Sequence, residues 1–226
     1  MNDLFSSHSR DWRPLADRMR PTCLEDYVGQ SHLLGMDKSL RVAFQQSALH
    51  SMILWGPPGV GKTTLARLLG THCDVHFINL SAVQAGIKDI RSVVQETHQM
   101  QAQYGRQSIL FIDEVHRFNK IQQDAFLPFI EEGSFIFIGA TTENPSFELN
   151  NALLSRTRIY LLDLLSEDEL MQLLQKALVD EIRGLGKLQL SIAVECQAML
   201  VRAAEGDARR LLNLLEVASD LVSQKD

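Results

Sequence analysis

Two short stretches hold residue types whose spacing suits phosphate chemistry. In "WGPPGVGKTT", Gly56, Gly61, Lys62 and Thr63 fit the pattern G-x-x-x-x-G-K-[ST]. A loop of Gly56, Pro57, Pro58, Gly59, Val60 and Gly61 lets successive backbone N–H groups converge on an anion, and a helix beginning at once adds its dipole. Lys62 is then placed to reach the β- and γ-phosphates of a nucleotide, and the Thr63 hydroxyl, with Thr64 next to it, to ligate Mg²⁺. In "SILFIDEVHRF", four apolar residues, Ile109–Ile112, end in Asp113 and Glu114. Adjacent carboxylates at the end of a core strand are costly unless they meet a cation or move a proton. Asp113 suits Mg²⁺ coordination and Glu114 suits polarising an attacking water. The plain alternatives are a Gly-Pro turn between a strand and a helix, and a surface turn with two solvated acids. Taken together the two stretches predict a site for the phosphates of ATP or GTP.

These residues need a frame. From residue 52 onward, short apolar runs (MILW, VHFINL, SILFID, FIFIGA, IYLLD) alternate with helix-like segments at 64–72, about 87–103 and 119–131. The alternation predicts parallel strands with crossover helices, an α/β sheet covered on both faces. After residue 165 the pattern turns helical. Ser166 and Glu169 form a capping box before a stripe of Leu170, Leu173, Leu174, Ala177, Leu178 and Ile182. Two more stripes follow, Ile192, Cys196, Met199, Leu200, Ala203 and then Leu211, Leu215, Ala218, Val222, all expected in a core. The expected organisation is a flexible tail over 1–20, an α/β domain over 21–164 and a small all-helical lid over 165–226.

Composition narrows the classes. With 226 residues, 45% hydrophobic and 22% charged, the chain has the makings of a globular core. A net charge of −6 argues against a general polyanion-coating protein and leaves room for a local basic patch. Three scattered cysteines, Cys23, Cys73 and Cys196, read as reduced thiols of a cytosolic protein. The start "MNDLFSSHSRDW" lacks a basic and apolar leader, and no apolar run approaches 18 residues, so neither secretion nor a membrane partner is expected. His72, Cys73 and His76 match no complete zinc-ligand set.

Read in order, GPPGVGKT, LFIDE, GATTENP, LLSRTR and GDARR resemble an AAA+ ATPase. More narrowly, ILWGPPGVGKTTLA, DEVHRFNKIQQDAFLPFIEEG and FIGATTENPSFELNNALLSR are similar to the replication-associated recombination protein A family, relatives of the clamp loaders and of the Holliday-junction branch-migration motor. The resemblance runs from about Leu15 to Glu216. It implies that Thr142, with Thr141 as the fallback, is the polar sensor of the γ-phosphate at the end of the FIFIGA strand. It implies that Arg156, with Arg158 as competitor, is the arginine finger reaching a neighbouring subunit's nucleotide, a group worth roughly 10³–10⁵ in rate in GTPases. Arg209 corresponds to the lid arginine that touches the bound nucleotide, and the segment from Leu15–Pro21 through Tyr27–Gln30 to the adenine-binding entry, with Val28 and Gly29 against the base. With no guanine-reading N/T-K-x-D in the sequence, the nucleotide is expected to be ATP.

The same resemblance implies DNA as partner: single-strand/duplex junctions or ends at stalled or gapped replication forks, met by a homo-oligomer in the cytoplasm beside the nucleoid. Lys88, Arg91, Arg117 and Lys120 are candidate phosphate contacts as a group, against the plainer reading of solvated helix faces. Leu4 and Phe5, behind Asn2 and Asp3, are similar to peptides that dock a sliding clamp; a frayed terminus is the alternative. Adjacency places His116 and Arg117 to orient Glu114. The family continues beyond the lid, so this chain, ending at Asp226, reads as a fragment that is monomeric alone. Other classes remain in play: a clamp-loader or branch-migration subunit, a catalytically dead scaffold, or a protein-remodelling motor. Lys62, Asp113, Glu114 and Arg156 count against a dead scaffold, and Ala82–Gly86 lacks the aromatic that a polypeptide-gripping pore loop needs.

Overall fold

The computed structural model describes residues 12–83 and 85–223. The described residues include a five-stranded parallel sheet in the order β2-β3-β4-β1-β5, with β1 at Met52–Trp55, β2 at His76–Ser81, β3 at Ser108–Asp113, β4 at Ile136–Thr141 and β5 at Arg158–Leu161. The strands read as unbroken apolar runs because both faces are covered. Met52, Leu54, Ile109 and Phe111 belong to one buried layer with Leu65 and Leu69 of helix Lys62–His72. Their neighbours Ile53, Leu110 and Ile112 enter the opposite layer with Ile90 and Val94 of helix Ile87–Tyr104. Each such side chain stabilises the fold by about 1.5–3 kcal/mol, enough for a strand of only four residues to hold its place. The α/β sheet expected from the sequence is the sheet observed.

Between β3 and β4 the expected single helix is broken into Lys120–Asp124 and Leu127–Glu131. Pro128 sits in the first turn of the second piece, where its missing N–H is tolerated, and cannot continue the first. Phe126, at the break, is fully buried against Phe137 and Phe118.

The layer around Leu65 runs on through Leu162 and Leu165 into three helices, Glu167–Val179, Val194–Ala204 and Ala208–Ser223. The capping box at Ser166 and Glu169 is present. Several stripe residues expected in the core lie on the surface. Ile182 is 90% exposed because the first helix stops at Val179, where the Asp180 carboxylate accepts the N–H groups of Ile182 and Arg183. In the second helix Cys196, Met199 and Ala203 face outward, and Val201 and Ala204 are the buried pair. Val222 is also exposed, while Leu211 and Leu215 are fully buried.

The N-terminal boundary differs too. Residues up to 20 were expected as tail, yet Leu15–Arg18 forms a helical turn with Leu15 fully buried. Its Leu15 N–H donates to Glu216 of the last helix at 2.9 Å, and Arg18 pairs with the same carboxylate. Apolar Leu15 and Met19 close the base of the helical layer, which is why this segment packs. Leu4 and Phe5 fall outside the described residues.

Candidate nucleotide site

Three parallel strands end at the same side of the sheet. β1 runs into the loop 56–61, β3 ends at Asp113 and β4 at Thr141, so their carboxyl ends hold the loop, the two acids and the threonines together. The loop is tied at its start, where the Gly56 N–H donates to the Thr141 carbonyl at 3.2 Å. Two of its glycines are required by close approach. Gly61 adopts φ +101° under the Tyr27 ring, and Gly59 adopts φ +72° where a Cβ would occupy the position of the Asp207 carboxylate.

One cavity joins these parts. It is lined by Pro58–Thr64, Asp113, Glu114, Thr142, Arg209 and Val28 among the residues singled out in the sequence. Lys62 is 7% exposed, and its ammonium donates to the carbonyls of Gly56 at 2.6 Å and Pro57 at 2.7 Å. Burial pulls its pKa below the usual lysine value, and Arg209 adds to that; Glu114 and Asp113 pull it back up. A phosphate between these groups would give the buried ammonium a charged partner in place of two carbonyls. Gly29 stands behind the lining with φ +89°, facing Leu165 and Glu169.

Glu114 is placed by its backbone and by two neighbours. It sits in the left-handed region at φ 53°, a conformation that costs a non-glycine residue on the order of 1 kcal/mol. Thr142 Oγ1 donates to Glu114 Oε2 at 3.3 Å, and His116 Nδ1 stands 3.2 Å from the same oxygen. Thr141, the fallback sensor, is fully buried and bonded to His116 and to the Glu143 backbone, so of the two threonines Thr142 is the one on the cavity.

Arg156 is not in this cavity. Its Nε donates to Glu131 Oε1 at 2.6 Å and its Nη1 to the Ala152 carbonyl at 2.7 Å, on the outer surface. Arg158 lies on the edge strand β5, near His50. Lys88, Arg91, Arg117 and Lys120 are all exposed. His76 pairs with Glu96, and His72 stacks on Phe44.

The other end of the cavity joins the N-terminal segment, which only the family resemblance marks, to residues of the three helices that motif spacing leaves silent. Ala16, Met19 and Tyr27 come from the N-terminal segment, Leu173 and Lys176 from the first of the three helices, and Leu212 from the last. Tyr27 is held in place by donating to the Val60 carbonyl at 3.3 Å, and burial pushes its phenol well above the usual tyrosine value, so it stays neutral. Arg183 joins this end through Asp26 at 3.3 Å and Asp180 at 2.9 Å. The start of the last helix packs on the phosphate loop, with the Ala208 N–H donating to the Gly59 carbonyl at 3.2 Å.

As donors for a metal, the Asp113 carboxylate and the Thr63 hydroxyl are both hard oxygen ligands on one cavity wall. That fits Mg²⁺, which completes its shell with substrate phosphates and water.

Comparison with known proteins gives a consistent set of relatives. Residues 52–162 match the profile of the ATPase family associated with various cellular activities, AAA. The chain is 55% identical over 218 residues to replication-associated recombination protein A of Coxiella burnetii, covering 96% of this chain and 49% of that protein. It is 51% identical over 215 residues to the Escherichia coli K12 protein of the same name, covering 95% and 48%. ATPase WRNIP1 of Dictyostelium discoideum is 44% identical over 215 residues, covering 95% of this chain and 24% of that one. The chain thus spans about half the length of the first curated relatives it matches. Among solved structures, the Thermotoga maritima RuvB Holliday junction branch migration motor superposes with a TM-score of 0.74 at 26% identity, over 91% of this chain and 67% of that one.

Proposed function

The chain belongs to the AAA ATPases, in the replication-associated recombination protein A family, and from that premise we propose that it binds ATP with Mg²⁺ and hydrolyses it in a DNA-dependent, oligomeric assembly at stalled or gapped replication forks. The observation that carries this reading is the meeting of Lys62, Thr63, Asp113, Glu114, Thr142 and Arg209 on one cavity.

The roles follow from the chemistry of each group. The N–H groups of Gly59, Val60 and Gly61 would face the phosphate oxygens, with Gly56, whose N–H is tied to Thr141, and the N–H-free Pro57 and Pro58 shaping the loop, and Lys62 and Arg209 would offset the phosphate charge. Thr63 and Asp113 would hold Mg²⁺, which would supply positive charge against the nucleotide's phosphates, and Thr64 continues the helix start. Glu114 takes the proton of the attacking water, while Thr142 reads the γ-phosphate. Val28, on the cavity, would lie against the adenine, with Gly29 behind it. Arg156, turned away from its own cavity, meets the nucleotide of the next subunit and neutralises transition-state charge there.

DNA as the substrate of the motor is supported by the relatives' names, which speak of replication-associated recombination and, for RuvB, of Holliday junction branch migration. The exposed cations Lys88, Arg91, Arg117 and Lys120 supply phosphate contacts. Sliding-clamp docking by Leu4 and Phe5 and a place beside the nucleoid in the cytoplasm complete the proposal; among the described residues no helix is long and apolar enough to cross a membrane.

Steady-state ATP turnover, with and without a duplex bearing a single-stranded tail and at several protein concentrations, tests it. The expected result is stimulation by DNA that rises more than linearly with protein, and loss of turnover in Glu114→Gln with ATP binding retained. A rate blind to DNA at every concentration removes the DNA-dependent reading, and a Glu114→Gln rate equal to wild type removes the assignment of the site.

A further inference from the structure

We propose that His116 is a positioning residue for Glu114: its Nδ1–H holds one carboxylate oxygen and couples it to the end of β4. The inference rests on the reading of Glu114 as the group that accepts the water's proton. It starts from the carboxylate beside the ring. Glu114 Oε2 is 3.2 Å from Nδ1, and a bare Nδ1 would set its lone pair against a carboxylate, so Nδ1 carries the hydrogen. Thr141 Oγ1 accepts the Glu143 N–H at 3.0 Å and lies 2.9 Å from Nδ1; with Nδ1 protonated the hydroxyl meets it as an acceptor and turns its own proton to the Glu143 carbonyl at 3.2 Å.

The Nδ1–H therefore faces two acceptors, Glu114 Oε2 and Thr141 Oγ1. Thr141 is fully buried at the end of a central strand, and the His116 side chain is 14% exposed, so the anchor is firm. Glu114 itself is one-third exposed and its backbone is in the left-handed region, so its side chain depends on these bonds for direction. Oε2 also accepts from Thr142 at 3.3 Å. That leaves Oε1 as the oxygen turned to water. When Thr142 hands its hydroxyl to a γ-phosphate, His116 becomes the group that keeps Oε2 in place, and the carboxylate stays aimed as the nucleotide arrives.

Two side chains separate this role from simple packing. The amide nitrogen of asparagine is bonded to Cγ, as Nδ1 is, and donates from the same place; that of glutamine lies one carbon further, where Nε2 lies. Measured on the full chain with MgATP and a tailed duplex, His116→Ala and His116→Gln are expected to lower kcat about 10- to 100-fold, the cost of a misaimed group, with KM changed less than about twofold. His116→Asn is expected to recover kcat to within about threefold of wild type. A two-bond ¹⁵N–¹H correlation on the wild-type chain, which needs no turnover, is expected to find the hydrogen on Nδ1. Full activity in His116→Ala, an Asn variant as slow as Gln, or an Nδ1 without hydrogen each overturns the inference. A wild type no faster than Glu114→Gln removes the hydrolytic reading and the inference with it, a result distinct from the other three because it appears before any His116 variant is compared.

Discussion

The two ends of the cavity are made differently. The phosphate end is assembled from the carboxyl ends of adjacent parallel strands and one loop, with Lys62, Asp113, Glu114 and Thr142 fixed by sheet register. The opposite end is a shell of Ala16, Met19, Tyr27, Leu173, Lys176 and Leu212, drawn from three segments far apart in sequence. One end fixes charges to within a hydrogen bond; the other supplies shape, and depends on how the N-terminal segment and the helical layer pack. Charge recognition therefore sits at the ends of hydrogen-bonded strands and shape recognition on the part built from separate pieces.

The largest expected effect breaks the phosphate end. Lys62→Ala removes the buried ammonium, and the Kd for MgATP is expected to rise on the order of 100-fold, about 2.7 kcal/mol, the scale of a charged hydrogen bond lost in a dry site. Isothermal titration measures it. An affinity unchanged in Lys62→Ala would mean that binding is governed by the shape end.

A second experiment sharpens the contrast between groups inside the cavity and outside it. Arg209 lines its own chain's cavity; Arg156 is held by Glu131 on the outer surface. Arg209→Ala is expected to weaken ATP binding by about tenfold, consistent with one partly exposed charged contact. Arg156→Ala is expected to leave binding unchanged while turnover in the assembly falls by roughly 10³. Mixing Arg156→Ala with Glu114→Gln chains then pairs an intact finger with an intact glutamate at some interfaces, and part of the activity returns. Mixtures as inactive as each variant alone would place the action of Arg156 within its own chain.

The same division explains what can be read before folding. Lys62, Thr63, Asp113 and Glu114 are legible because phosphate chemistry demands them next to one another or at a strand's end, and the continuous runs around Ile53 and Ile109–Ile112 announce strands covered on both faces. Leu173 is an apolar stripe residue that pattern alone assigns to a core, Leu212 lies beside the stripe of Leu211 and Leu215, and nothing in their spacing distinguishes a cavity wall from a core. Met199 and Ala203 fit a helical stripe yet face outward, because a helix in a thin layer is covered on one side and the period does not say which. Leu15 hid behind Pro14 and Pro21, which argue for irregular chain; its burial comes from Glu216 and the last helix, some two hundred residues away.

The smallest expected effect tests whether the shape end is held by polar ties as well as by apolar packing. Asp180 ends the first of the three helices and binds Arg183, which in turn reaches Asp26 on the cavity wall. Burial pushes the Asp180 carboxyl up, but the backbone and side-chain hydrogen bonds from Arg183 and the N–H of Ile182 together outweigh it and hold the group below the usual carboxylate range. A depressed folded-state pKa means stability that is fully present above the unfolded value, near 3.9, and is lost as the pH falls through the folded value. Asp180→Asn is therefore expected to lower the midpoint of thermal unfolding by a few degrees at pH 7, about 1 kcal/mol or less for a partly exposed pair. The gap to wild type should narrow as the pH falls below the unfolded value and close below the lowered folded value, where the wild-type carboxyl is also neutral. ATP affinity of the variant should fall less than threefold, since Arg183 keeps its contact to Asp26. A gap that persisted at low pH would assign Asp180 a packing role in the helix end, and a large loss of affinity would mean that the Arg183 tie, more than the apolar wall, sets the form of the shape end.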